Sequence, residues 1–119
     1  MRSSILIVFA ALLAACGGSD KATTAPIVQT PTPTPTVTNN VNMVSLAFTP
    51  ASIQVTSGAV VNFTNSDGFS HNVTFTDATI TGLGNFSTGS KTVSMPAAAG
   101  TYPYRCTLHS GMSGSVTVK

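Results

Sequence analysis

The stretch that decides the fold is Thr101-Tyr102-Pro103-Tyr104-Arg105-Cys106-Thr107-Leu108-His109-Ser110-Gly111-Met112-Ser113-Gly114-Ser115-Val116. A strand runs up to Cys106, Ser110-Gly111 supplies a tight turn, and a second strand begins after Gly114. Between the strands stand Cys106, His109 and Met112 in the spacing C-x2-H-x2-M. A loop this short can aim three side chains at one point. Thiolate, imidazole and thioether form a soft donor set that favours copper, above all Cu(I), over hard cations. Zinc suits the set poorly, because it prefers further Cys, His or carboxylate ligands to Met.

A fourth donor has to come from elsewhere, and His71 is the only other histidine in the chain. It follows the turn-rich Asn65-Ser66-Asp67-Gly68 and opens the strand His71-Asn72-Val73-Thr74-Phe75. Two His and one Cys in a plane with a long axial Met make the trigonal blue-copper arrangement. The rest of the segment from Val41 to Lys119 has the same period-two character. Val44, Leu46 and Phe48 alternate as one strand, followed by Ile53/Val55, Val61/Phe63 and Val73/Phe75, then Thr92–Met95 and Ser115–Val118. Residues 77–89, rich in Gly, Ser and Thr, read as a long connection. This pattern predicts an all-β sandwich or small barrel of about 7–8 strands.

His71-Asn72-Val73, followed by the C-x2-H-x2-M loop and a Val-rich last strand, resembles the plastocyanin and amicyanin branch of the cupredoxins. Phe48-x-Pro50-x-x-Ile53-x-Val55-x-x-Gly58 resembles the early strands of that branch. The ligand-loop spacing is similar to the short amicyanin form, with Leu108 where several relatives have Pro. The resemblance implies a Greek-key β-sandwich of the cupredoxin type with one type 1 copper per chain. His71, Cys106 and His109 would be the strong equatorial ligands and Met112 the weak axial one. It also implies that Asn72 ties the two ligand loops together. Electrons would pass at the exposed edge of His109, across an apolar face built from Leu108, Gly111 and Phe69.

The N-terminus carries different information. Met1-Arg2, an apolar run from Ile5 to Ala15 and then Cys16-Gly17-Gly18 have the parts of an export signal. The run falls short of the roughly 20 apolar residues that a spanning helix needs. Leu13-Ala14-Ala15-Cys16 resembles the lipobox of bacterial lipoproteins, which implies a signal peptide over 1–15 and a lipid on Cys16. Gly17 in place of Asp favours the outer over the inner membrane in a Gram-negative cell. Residues 16–40, with Pro31-Thr32-Pro33-Thr34-Pro35-Thr36, read as a disordered tether that reaches roughly 80 Å when extended at about 3.1 Å per residue. The folded domain is then expected over 41–119. With Cys16 acylated, Cys106 has no disulfide partner, and a metal is the natural occupant of a lone thiol in an oxidising compartment.

Composition excludes several function classes. The formal charge of +2 is too weak to attract nucleic acid, and the chain has no Glu. Its three Asp are scattered, so no general acid/base pair forms, and no Gly-x-Ser-x-Gly elbow is present. Multicopper oxidases carry His before the ligand Cys, whereas this chain has Arg105. The expectation is therefore a non-enzymatic, monomeric carrier of single electrons in the bacterial cell envelope. Its redox partner would be a c-type cytochrome, an oxidase or a dehydrogenase. Copper binding and delivery is the alternative; a metal-free interaction module fits poorly with four intact donors.

Overall fold

Alternating apolar residues organise the chain into ten strands, described here over residues 31–119 of a computed structural model. They are β1 (Thr36–Val37), β2 (Asn40–Val44), β3 (Ala47–Thr49), β4 (Ser52–Val55), β5 (Val60–Asn65), β6 (His71–Phe75), β7 (Leu83–Phe86), β8 (Gly89–Ser94), β9 (Gly100–Arg105) and β10 (Ser113–Val118). Six strands form one sheet in the order β1-β4-β10-β9-β6-β7, and four form the other in the order β3-β2-β5-β8. No helix occurs among the described residues. The segment read as an export signal, Cys16 and the part of the expected tether up to residue 30 lie outside them.

The period of two places one face of each sheet inside. Val41, Met43, Phe48, Val61, Phe63 and Val93 point inward from the smaller sheet. Ile53, Val55, Val73, Phe75, Tyr104, Val116 and Val118 meet them from the larger one. The centre of this core is Tyr104. Its ring lies 4.8 Å from Phe48, 5.4 Å from Phe63 and 5.3 Å from Phe75, the first two in edge-to-face contact. Space for that ring comes from Gly114, which faces Tyr104 in the β9–β10 ladder. A Cβ at residue 114 would stand 2.5 Å from the Tyr104 hydroxyl and 2.7 Å from the Ala51 carbonyl oxygen.

The sandwich is as expected, but its strand count exceeds the 7–8 read from the sequence, for three local reasons. Val44, Leu46 and Phe48 do not share a strand. The chain reverses at Ser45 and Leu46, both in the left-handed region (φ 54° and 58°), and β2 pairs antiparallel with β3. The inward residues are Val41, Met43 and Phe48, while Val44 and Leu46 face out. Second, β7 occupies part of the supposed connection 77–89. It pairs with β6 across a register shift between His71 and Val73. Third, β1 and the first residue of β2 lie within the segment read as tether. Thr36 and Val37 pair in parallel with Ile53 and Gln54, and the Thr38 amide donates to the Gln54 carbonyl at 3.3 Å.

Candidate metal centre

Strand parity brings the metal-ligating residue types together. In β6 the inward face carries His71, Val73 and Phe75, so His71 is the last inward position at that end of the strand. In β9 the same face carries Tyr102 and Tyr104, and the next position in phase is Cys106. β6 and β9 are antiparallel neighbours, with Thr74 opposite Arg105 and Phe75 opposite Tyr104. The paired residues are the last two of each strand, so the start of β6 runs on past the end of β9 alongside the loop that follows it, and His71 and Cys106 meet at one end of the sandwich.

The loop from Cys106 to Met112 closes on itself. The Cys106 amide donates to the Met112 carbonyl at 3.0 Å, and the Met112 amide donates to the His109 carbonyl at 3.4 Å. Gly111, at φ 81°, makes the turn that folds the loop back. Three donor atoms converge as a result. The His71 Nδ1 and His109 Nδ1 are 3.1 Å apart, and the Cys106 Sγ stands 3.9 Å from the first and 3.6 Å from the second. A trigonal ion bound to imidazole at about 2.0 Å and thiolate at about 2.3 Å needs donors separated by roughly 3.5–3.9 Å. The two Cys–His separations lie in that range and the His71–His109 separation falls short of it, so a small parting of the two rings lets the set hold a single metal ion, and its chemistry of two imidazoles and a buried cysteine sulfur fits copper. Met112 is also buried and lines a surface hollow of about 450 Å³ together with Cys106 and His109.

Burial grades the site from inside to outside. His71 and Cys106 are buried, whereas His109 is half-buried. Around it Leu108 is 46% and Phe69 61% exposed, and Gly111 is exposed too. Asn72 points away from the core yet is buried, because it bridges the two ligand segments. Its Oδ1 accepts from the Thr107 amide at 2.8 Å, and its Nδ2 donates to the Thr107 Oγ1 at 2.7 Å and the Asn85 Oδ1 at 3.0 Å.

Two polar residues that sequence reading passed over support the site. Asn65, at the end of β5, is buried and donates through Nδ2 to the carbonyls of Phe69 and Phe86, both at 2.8 Å. It accepts the Asp67 amide at 3.0 Å, so it shapes the crossover that delivers His71. Asp67 accepts from the Ser45 and Leu46 amides and, through Oδ2, from the His71 Nε2 at 3.0 Å. The Leu46 amide foremost, with lesser help from His71 and the Ser45 amide, holds its carboxyl below the usual carboxylate value; desolvation, the second-largest effect, opposes them. The Asp67-x3-His71 spacing was the available signal, but an Asp-Gly pair reads first as a turn.

The chain matches the family described as "copper binding proteins, plastocyanin/azurin family" over residues 35–119. It is 34% identical over 91 residues to a chloroplastic plastocyanin of Pisum sativum, covering 61% of this chain and 52% of that protein. It is 31% identical over 87 residues to a plastocyanin of Scenedesmus fuscus, covering 63% of this chain and 89% of that one. It thus spans about half the length of the pea relative and most of the algal one. Among solved structures it is similar to a reduced amicyanin variant at a TM-score of 0.61 and 25% identity, over 67% of this chain and 80% of that one. The convergent His71, Cys106 and His109 donors on a two-sheet β frame belong with these likenesses: the chain is a member of the plastocyanin/azurin family of copper-binding proteins, the cupredoxins.

Proposed function

We propose that the protein carries single electrons through one type 1 copper that His71, Cys106 and His109 would hold as the strong ligands and Met112 as the weak one. The observation that carries this reading is the convergence of the three donor atoms within 4.8 Å of one another on an already folded frame. Copper, when bound there, supplies the one-electron couple. The chain's own residues do the rest. Strands β6 and β9 hold His71 and Cys106, and the Asn72 bridge to Thr107 fixes the loop against them. Donors pinned in this way have little room to rearrange when the charge at the centre changes. The inward β face excludes water from Cys106 and His71, and His109 supplies an edge near the surface.

This reading makes the protein a carrier and not an enzyme. Its partner would be a redox protein in the same compartment, such as a c-type cytochrome, an oxidase or a dehydrogenase. The alternative, copper delivery, relies on open Met-rich sites. Among the described residues, Met112 lines the hollow with Cys106 and His109, whereas Met43 and Met95 do not. We also propose placement in the bacterial cell envelope through a lipid on Cys16, supported by the sequence from Met1 to Gly18. More than one acyl chain on that cysteine makes a stable anchor. Membrane fractionation should find the exported protein retained and a Cys16→Ala variant soluble or unprocessed; retention of a correctly processed variant removes the proposal.

The decisive experiment is the visible spectrum of the copper-loaded protein. An intense charge-transfer band in the red is expected, and Cys106→Ser should abolish it while far-UV circular dichroism still reports a β fold. A band of full intensity in that variant overturns the assignment. Voltammetry on Met112→Gln extends the test to the fourth residue of the set. A harder amide oxygen favours Cu(II), so the potential should fall with copper retained. An unchanged or higher potential removes Met112 from the ligand set.

A further inference from the structure

We infer that Asp67 is a positioning residue for the metal centre: it holds the His71 imidazole with its proton on Nε2 and its Nδ1 lone pair free for the metal, and locks that ring to the turn between β2 and β3. The inference rests on the copper reading above and adds to it a carboxylate outside the donor set. A carboxylate only accepts hydrogen bonds, so at 3.0 Å the His71 Nε2 must be the donor to Asp67 Oδ2. In the neutral ring the other nitrogen is then unprotonated. That nitrogen, Nδ1, is the one that faces His109 and Cys106. Tautomer choice and ring orientation thus follow from one contact on the side of the ring away from the donors.

Asp67 is itself held in place by groups outside the donor set. Its backbone amide donates to the Asn65 Oδ1 at 3.0 Å. Its carboxylate takes the Ser45 amide on Oδ1 at 3.0 Å and the Leu46 amide on Oδ2 at 2.8 Å. The left-handed conformation of both Ser45 and Leu46 aims their two amides at the same group. The His71 side chain is fully buried and that of Asp67 only a tenth exposed, so this is not a mobile surface pair. Residues of the β2–β3 turn and of the β5–β6 crossover therefore meet in one carboxylate, which transmits their positions to the ring.

The test uses the full chain with Asp67→Asn and Asp67→Ala. In the metal-free protein, long-range proton–nitrogen spectra of the imidazoles should show His71 as a single Nε2–H tautomer. Asp67→Ala should yield a mixture of tautomers, and its Cu(II) affinity should fall about 10- to 100-fold. Asp67→Asn can still present one oxygen to His71. It should keep the tautomer but lose the charge, weakening Cu(II) more than Cu(I) and raising the potential. If Asp67→Ala fails to fold, the potential and the Nε2 proton shift of Asp67→Asn decide; both unchanged overturns the inference. Loss of thermal stability with tautomer, affinity and potential all unchanged marks a mere turn clamp and also overturns it. Absence of a red-region band in the wild type would instead count against the copper reading, while the metal-free spectra still judge Asp67.

Discussion

Leu108 sits beside half-buried His109 with nearly half of its side chain in solvent, and Phe69 stands exposed on the crossover that leads to His71. An apolar rim around a redox edge lets a partner approach without desolvating charge, which suits a short-lived complex. Leu108→Glu should slow electron exchange with a redox partner, or self-exchange, at nearly unchanged spectrum and potential. Unchanged exchange kinetics would move the exit face elsewhere. A shift in colour or potential would instead assign Leu108 to support of the loop. The residues themselves were legible in the sequence because few alternatives existed: two His in the chain, and one Cys and one Met in the same loop as the second of them. What each does depends on its depth, and depth follows from which neighbours cover it.

At the scale of elements, the β2–β3 hairpin shows where periodicity misleads. Val44, Leu46 and Phe48 alternate in sequence, yet the chain reverses between them because Ser45 and Leu46 both take positive φ. Two central residues at positive φ are the condition for the tight turn that matches strand twist, and Asn-Gly normally fills it. Ser-Leu carries no such signal. Leu46→Gly should therefore stabilise the protein by up to about 1 kcal/mol, since a left-handed non-Gly residue costs roughly that much and nearly half of Leu46 is already in solvent. The amide that Asp67 accepts remains. The urea midpoint should rise at an unchanged slope; no rise, or a fall, would mean that Leu46 contributes packing beyond its exposure. Strand β7 escaped notice for a related reason. Leu83-Gly84-Asn85-Phe86 has turn-forming residues at its centre, and the partner β6 holds it through a bulged register.

For the whole molecule, the core is organised around one ring whose hydroxyl has no partner. Among the described residues the Tyr104 hydroxyl is the one buried side-chain polar atom without a hydrogen bond. Burial pushes its ionisation well above the ordinary value near 10. Above pH 10 the unfolded chain releases this proton while the folded chain retains it. Stability is therefore insensitive to Tyr104 below pH 10 and declines as pH rises beyond it. Urea midpoints measured from pH 8 to 11 should show that decline, and Tyr104→Phe should make it shallower. The same variant should lose little stability at pH 7, because the removed hydroxyl made no bond. An identical alkaline slope in both proteins would mean that the ring opens to solvent.

Periodicity and motif spacing were enough for the class of fold, the metal chemistry and the three residues whose donor atoms converge. Period two specifies a sheet with one buried face, and a Cys-x2-His-x2-Met loop with one further His leaves little choice of donors or metal. How those donors are held depends on long-range contacts. Asp67 meets the amides of Ser45 and Leu46 across more than twenty positions of chain, and Asn72 meets Thr107 across 35. Such contacts arise only when crossovers between the sheets bring remote turns together. A polar residue in a turn has the same local signature whether it faces water or a buried imidazole. What separates the two cases is the surrounding protein that removes the water, and no local stretch of sequence encodes that.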